Sequence, residues 1–275
     1  MKKIRTLLAV DVQNGFIHDI NYTPSLPGGH LNLAVKGADE DVRRMGDVIT
    51  KSMDYFDNIR VTLDSHHPLH IASPLYWKDR AGKHPDPFTP IKQQDVIDGL
   101  LRTSIPGLNQ DAIYYLGELE RQGKKTHFLW PPHCILMTPG QLIYEPFRQV
   151  LLEWELEYGM VDWNPKGSNY KREHFSAVSA EVEDVDDPTT KVNFGLVNAV
   201  ENSDESHVGG IAGSHCVSET VYGIINNFSD PAAIQKLWIW EDCMSPVPGF
   251  EQVQIDFLND MRARGAHVIK STDLL

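Results

Sequence analysis

Only three cysteines are spread over the 275 residues: Cys134, Cys216 and Cys243. An odd, sparse count offers no disulfide framework; it suits a reducing compartment and a cytoplasmic protein. Basic residues are in the minority, 25 Lys and Arg against 38 Asp and Glu, for a formal charge of −13. Phosphate contact needs a basic face, so no nucleic-acid partner is expected. No apolar run reaches the length of a transmembrane helix, and no membrane partner is expected. The apolar stretch after the basic residues at 1–5 stops at Asp11, too early for a signal-peptide core. There is no Gly-x-Gly-x-x-Gly and no Walker A sequence, which leaves dinucleotide and P-loop binding without support. Internal repeats, heptads and low-complexity tracts are absent too.

What is present is an alternation of short apolar runs with amphipathic stretches. Strands are predicted at 7–10, 59–63, 126–129, 160–163, 207–212, 237–240 and 266–269. Helices are predicted at 39–56, 110–122, 140–157, 192–202, from Val217 through Val221, Ile224 and Ile225, and at 250–264. Residues 71–107 are rich in Pro, Gly and charge and read as a long surface excursion. The alternation predicts an α/β fold: a three-layer sandwich with a mostly parallel sheet of about six strands and helices on both faces. The length suits a single domain, 1–275, with a long insertion at about 74–126.

In such sheets a ligand sits beyond the carboxyl ends of the strands. Asp11, Asp64 and Cys216 all fall at predicted strand ends. Cys216 follows the run His207-Val208-Gly209-Gly210-Ile211-Ala212 and precedes a helix. There it is either a thiol activated by the helix terminus or a small hydrophobe packed in the core. Asp64-Ser65-His66 places a carboxylate and an imidazole two residues apart, with His67 and His70 nearby and His133 after another strand. These residues are either ligands for a divalent metal or a polar loop of solvated histidines. Asp11 is either a base for the thiol or a cap, and Lys166 either an electrostatic helper or part of a surface turn.

Six ordered segments carry a further observation: Asp11-Val12-Gln13-Asn14-Gly15-Phe16, Leu26-Pro27-Gly28-Gly29-His30-Leu31, Asp64-Ser65-His66, Trp130-Pro131-Pro132-His133-Cys134, Lys166-Gly167 with Phe175-Ser176-Ala177, and Gly210-Ile211-Ala212-Gly213-Ser214-His215-Cys216-Val217. Together they resemble the isochorismatase-like cysteine hydrolases, in particular the nicotinamidase (pyrazinamidase) branch. The resemblance implies a metal-containing amidohydrolase acting on linear carboxamides, with a triad of Asp11, Lys166 and Cys216. It implies metal ligands Asp64, His66 and His133 for one divalent ion, zinc foremost, with manganese or iron as alternatives. It implies a cis peptide between Ile211 and Ala212, an oxyanion hole from the N–H groups of Ala212 and Cys216, and a ring pocket lined by Phe16, Trp130 and Phe175. Cys134 becomes a structural neighbour of the metal site.

The match is looser in places. Ser214 stands where many members carry an acidic residue, Ser65 replaces an aromatic, and the span from His66 to His133 is long. His215 reads as structural. The implied partner is a small-molecule amide, and the insertion suggests a lid or a contact in a homo-oligomer. The competing readings are a hydrolase of the same family acting on another amide or carbamoyl compound, and a non-catalytic metal-binding scaffold.

Overall fold

A computed structural model describes residues 2–18 and 32–274. The expected segment at 26–31 lies outside the described residues. Among the described residues, six strands form one sheet: β1 Arg5–Val10, β2 Asn58–Asp64, β3 Asp162–Lys166, β4 Glu205–Gly210, β5 Leu237–Trp240 and β6 His267–Ile269. Their spatial order is β6-β5-β4-β1-β2-β3, and every neighbouring pair is parallel. The winding reverses between β1 and β4. At that reversal the connections diverge and leave a crevice beyond the strand ends.

The main helices are α1 Ala38–Lys51, α2 Asn109–Arg121, α3 Glu145–Glu157, α4 Phe194–Glu201, α5 Ser218–Ile225 and α6 Glu251–Arg264. Strand β1 shows why the two faces are covered. Leu7 and Ala9 join Met45 and Ile49 of α1 and Phe147 and Trp154 of α3 in one core. Leu8 and Val10 point the other way and join Leu196 of α4, Val221 of α5 and Phe257 of α6. Side chains alternate across a strand, so a strand buried on both faces must be apolar throughout. Each fully buried Leu or Val here contributes roughly 1.5–3 kcal/mol.

Three expectations shift. The run at 126–129 does not enter the main sheet; only His127–Phe128 is extended, paired antiparallel with Pro90–Ile91. The strand expected at 160–163 begins at Asp162 and runs to Lys166, which moves Lys166 from a turn to a strand end. As an edge strand it needs no continuous apolar pattern and tolerates Pro165. Residues 71–107 are more than a surface excursion. Tyr76, Trp77, Ile91 and Val96 pack against Ala112, Tyr115 and Leu116 of α2 in a third, separate core. Its apolar residues are spaced too irregularly for a periodic pattern to reveal them.

Candidate active site

The register of the sheet assembles the site. Asp64 and Lys166 are direct partners at the carboxyl ends of β2 and β3. Asp11 follows β1 with a left-handed backbone, φ 49°, a conformation that Asp tolerates better than most residues. Lys166 Nζ lies 3.0 Å from Asp11 Oδ2 and 3.1 Å from Asp64 Oδ1. It donates to His174 O at 2.9 Å and lies 3.7 Å from Cys216 Sγ. Burial alone would lower the Lys166 pKa, but Asp11, Asp64 and Cys216 outweigh it and hold the ammonium well above its usual range. Burial raises the Asp11 pKa, with Lys166 opposing and Asp64 reinforcing the rise. Thr62 Oγ1 donates to Asp11 Oδ1 at 2.5 Å and accepts from Asp11 N at 3.0 Å, which fixes the carboxylate.

Beside this pair, one oxygen of Asp64 and one nitrogen each of His66 and His133 lie within 4.8 Å of one another. Asp64 Oδ2 is 2.9 Å from His66 Nε2 and 3.5 Å from His133 Nε2. His133 Nδ1 donates to Pro131 O at 2.7 Å, and His66 Nδ1 lies 3.3 Å from Gly167 O. A carbonyl on each Nδ1 leaves each Nε2 lone pair facing the centre, the arrangement that a metal-binding imidazole needs. The donor set of one carboxylate and two imidazoles fits a divalent transition ion with open positions. Burial opposes ionisation of Asp64, but His66, Lys166 and His133 hold its pKa well below the usual range. Gly167 makes this approach possible. At φ +80°, a Cβ there would sit 2.7 Å from Asp64 Oδ1 and 2.9 Å from His66 Cε1.

Cys216 sits in a π-helical turn, Gly213–Val217, between β4 and α5. The peptide from Ile211 to Ala212 is cis, as the resemblance implied. At Gly210, φ +134°, an added Cβ would meet Val10 O at 2.0 Å, so only glycine lets β4 approach β1 this closely. Burial pushes the Cys216 thiol well above its usual range; Lys166 pulls it down, and Asp11 and Asp64 push it further up. The nearby acceptor carboxylate and ammonium are what the thiol has to work with.

A small cavity adjoins these groups. Phe16, Trp130, Phe175 and Ala212 line it together with His66, His133 and Cys216. The ten residues that the resemblance implied for triad, metal, oxyanion hole and ring pocket thus fall in or around one place. A larger groove lies by Leu142, Leu152 and Trp163 and holds none of these groups. The chemistry, not the size, marks the smaller space as the candidate site.

Two expectations about neighbours change. His70 is no spare ligand: Ala72 N–H donates to its Nδ1 at 3.3 Å, and its Nε2 lies 3.0 Å from Arg172 O. His67 is exposed. Three residues with site contacts were not singled out beforehand, Thr62, Glu173 and His174, and Gln13 stood in the first segment without a role. Gln13 bonds Asp64 O and N at 2.8 and 2.7 Å and so clamps the end of β2. The signal for Thr62 was its spacing of two from Asp64 on one strand. Glu173 lines the cavity, and nothing local marked it.

No protein-family model matches the chain, and no curated protein matches its sequence. Solved structures do. A nicotinamidase/pyrazinamidase from Acinetobacter baumannii superposes with TM-score 0.62 at 22% identity, covering 100% of this chain and 99% of that one. The yeast nicotinamidase gives 0.63 at 18% identity, covering 97% and 99%. A pyrazinamidase of Pyrococcus horikoshii, solved in complex with zinc, gives 0.52 at 15%, covering 97% and 98%. The chain shares its fold with these nicotinamidases. The coverage extends the likeness over the whole length, insertion included.

Proposed function

We propose that the protein is an amidohydrolase that converts nicotinamide to nicotinate and ammonia. One observation carries this reading: Lys166 Nζ bridges Asp11, Asp64 and Cys216 beside a divalent-metal donor set, and Asp64 and Cys216 line an aromatic-walled cavity. The nicotinamidase fold of the structural neighbours supports it. A structural metal site alone would have no use for a thiol and an ammonium.

Asp64, His66 and His133 would hold one divalent ion, with zinc suggested by the Pyrococcus horikoshii pyrazinamidase. When bound, it supplies a Lewis-acidic coordination point for a ring nitrogen. The chain's own groups do the rest. Phe16, Trp130 and Phe175 hold the flat ring. Asp11 takes the Cys216 proton, and its raised pKa suits a group that must hold that proton between steps. The thiolate attacks the carboxamide carbon, and the N–H groups of Ala212 and Cys216 stabilise the oxyanion. Among the described residues, no backbone carbonyl outside helices and strands accepts from Ala212 N–H. Asp11 returns the proton as the C–N bond breaks and ammonia leaves. It then deprotonates a water that attacks the thioester, and the carboxylic acid departs as the thiol is restored. Lys166 balances the negative charge at each stage.

The deciding experiment measures ammonia release from nicotinamide and pyrazinamide, with and without chelator. Release that chelation and Cys216→Ala both abolish is expected. A Cys216→Ala chain with near-normal rate would remove the scheme.

A further inference from the structure

The outer edge of β3 is open: among the described residues no further strand pairs with it. A groove runs between this edge and α3, and Leu142, Leu152 and Trp163 line it together with Arg148 and Glu155. Apolar surface continues beside the groove. Leu156 stands one turn beyond Leu152 on α3. Met160 directly precedes Val161, whose N–H donates to Glu155 Oε1 at 2.9 Å. Leu142 is 60% exposed, Leu156 80%, Met160 82% and Trp163 42%. With Leu152 they leave roughly 500 Å² of apolar surface in water, toward the upper end of what a monomer carries as its largest patch. A dimer covers about 800 Å² of each partner, and about two-thirds of that is apolar in homodimers. The patch matches that requirement.

Charge decides what covers it. Arg148 and Glu155 lie about two turns apart on one face of α3, with Leu152 between them. A two-fold axis beside Leu152 that brings two copies of α3 face to face runs them antiparallel. It sets Arg148 of each copy opposite the partner's Glu155. One patch is then its own complement, as an isologous contact requires. Both groups have capacity to spare. Arg148 donates to Glu145 through Nε and Nη2, which leaves Nη1, and Glu155 gives only one oxygen to Val161. An added strand is a poorer occupant, because Pro165 in β3 has no N–H to offer along this edge.

We propose that this face docks a second copy of the chain, α3 against α3, in a two-fold dimer with Leu152 near the axis and two Arg148–Glu155 pairs across it. The contact lies at the edge of the sheet and not on the 74–126 segment. It does not depend on the hydrolase reading, since none of its residues touches the triad or the metal-binding set.

Sedimentation velocity of the full chain, at up to about 100 μM and physiological salt, reads the mass. Wild type should sediment as twice one chain. Arg148→Glu and Glu155→Arg each set like charges against one another in both pairs, and each should raise the dimer Kd by about 100-fold or more. Mixed one to one, each variant supplies the charge that the other lacks. The mixture should dimerise with a Kd within about tenfold of wild type. Glu155→Arg also removes the acceptor of Val161 N–H, so Leu152→Glu serves as a second variant that breaks no hydrogen bond. It should sediment as one chain with an unchanged far-ultraviolet circular dichroism spectrum. A wild-type chain of single mass throughout, a dimer indifferent to Leu152→Glu, or two folded charge variants that stay apart on mixing would overturn the proposal.

Discussion

Lys166 Nζ lies 3.0 Å from Asp11 Oδ2, and neither side chain exposes more than 2% of its surface. The pair is joined by Asp64 at 3.1 Å, so one ammonium balances two buried carboxylates. Lys166→Met would leave Asp11 without a cation and Asp64 with only its histidines. Breaking a buried ion pair costs about 3–5 kcal/mol, and that loss is expected in urea unfolding near neutral pH. In the variant the native carboxylates bind protons more readily than the unfolded ones, so stability falls as pH rises. The deficit against wild type should therefore be larger at pH 8 than at pH 5. An equal deficit at both would argue against the charge balance.

The three cysteines are predicted to separate cleanly. Cys134 packs in the core with its sulfur against Gly15, and burial pushes the Cys243 thiol up to about 12. Neither faces the cavity. Cys134→Ala and Cys243→Ala should keep ammonia release within about threefold of wild type, with a stability cost on the order of 1 kcal/mol. Cys216→Ala should release none. Iodoacetamide should label Cys216 first, and mass mapping of the modified peptide checks the order.

How far the residues foretold this site depends on which contacts set each position. Asp11, Asp64 and Cys216 were placed by strand ends, because an apolar run that stops at a polar residue marks both the sheet and its edge. Lys166 was harder: its strand, Asp162–Lys166, lies at the sheet edge and carries no apolar pattern. Its charge has meaning only through the register with Asp64, a long-range fact. The likeness of ordered segments supplied what local pattern did not. His70 illustrates the opposite error, since its type suggested a ligand while two backbone groups occupy its nitrogens. The third core was hidden because Tyr76, Trp77 and Ile91 sit among prolines and charges, in a stretch that composition alone marks as a loop.

The metal-binding residues are distinguishable from their histidine neighbour. Asp64→Asn, His66→Gln and His133→Gln should each weaken zinc affinity by about 10–100-fold or more. His70→Gln should leave it nearly intact, because His70 serves the backbone of Arg172 and Ala72. Competition with a chromogenic chelator measures all four. A His70→Gln chain that loses zinc as readily as His133→Gln would move His70 into the ligand set.

The segment at 74–126 is tied to the cavity loop by an ion pair from α2. Arg172 makes two bonds to Asp111 of α2, at 2.7 and 2.8 Å, and is itself buried. Arg172 directly precedes Glu173, His174 and Phe175, which reach the cavity and Lys166. The Asp111 side chain is 28% exposed, so the loss on Asp111→Asn should be nearer about 2 kcal/mol than the full buried-pair value. The loop would loosen with it, and KM for nicotinamide should rise more than kcat falls. Steady-state kinetics beside a thermal melt separates the two effects; an unchanged KM would mean the insertion does not position the pocket.

Stability should also respond to pH through histidines remote from the site. Burial lowers the pKa of His127 to about 4, and the same cause lowers His207 to about 4. Unfolded, each would titrate near 6.5. Between these values the unfolded chain binds the extra proton and the native chain does not, so the native state loses ground as pH falls. The contribution is complete above about pH 6.5 and is lost progressively down to about pH 4. Each group gives a slope of about 1.4 kcal/mol per pH unit in that window. His127→Gln removes the titration while keeping a donor for Ile71 O, the 3.1 Å partner of His127 Nε2. Its unfolding free energy should therefore fall less steeply than that of wild type, with the two curves converging by about 3 kcal/mol between pH 6.5 and pH 4. Parallel curves would show that His127 is already protonated in the native fold or never titrates in the unfolded chain.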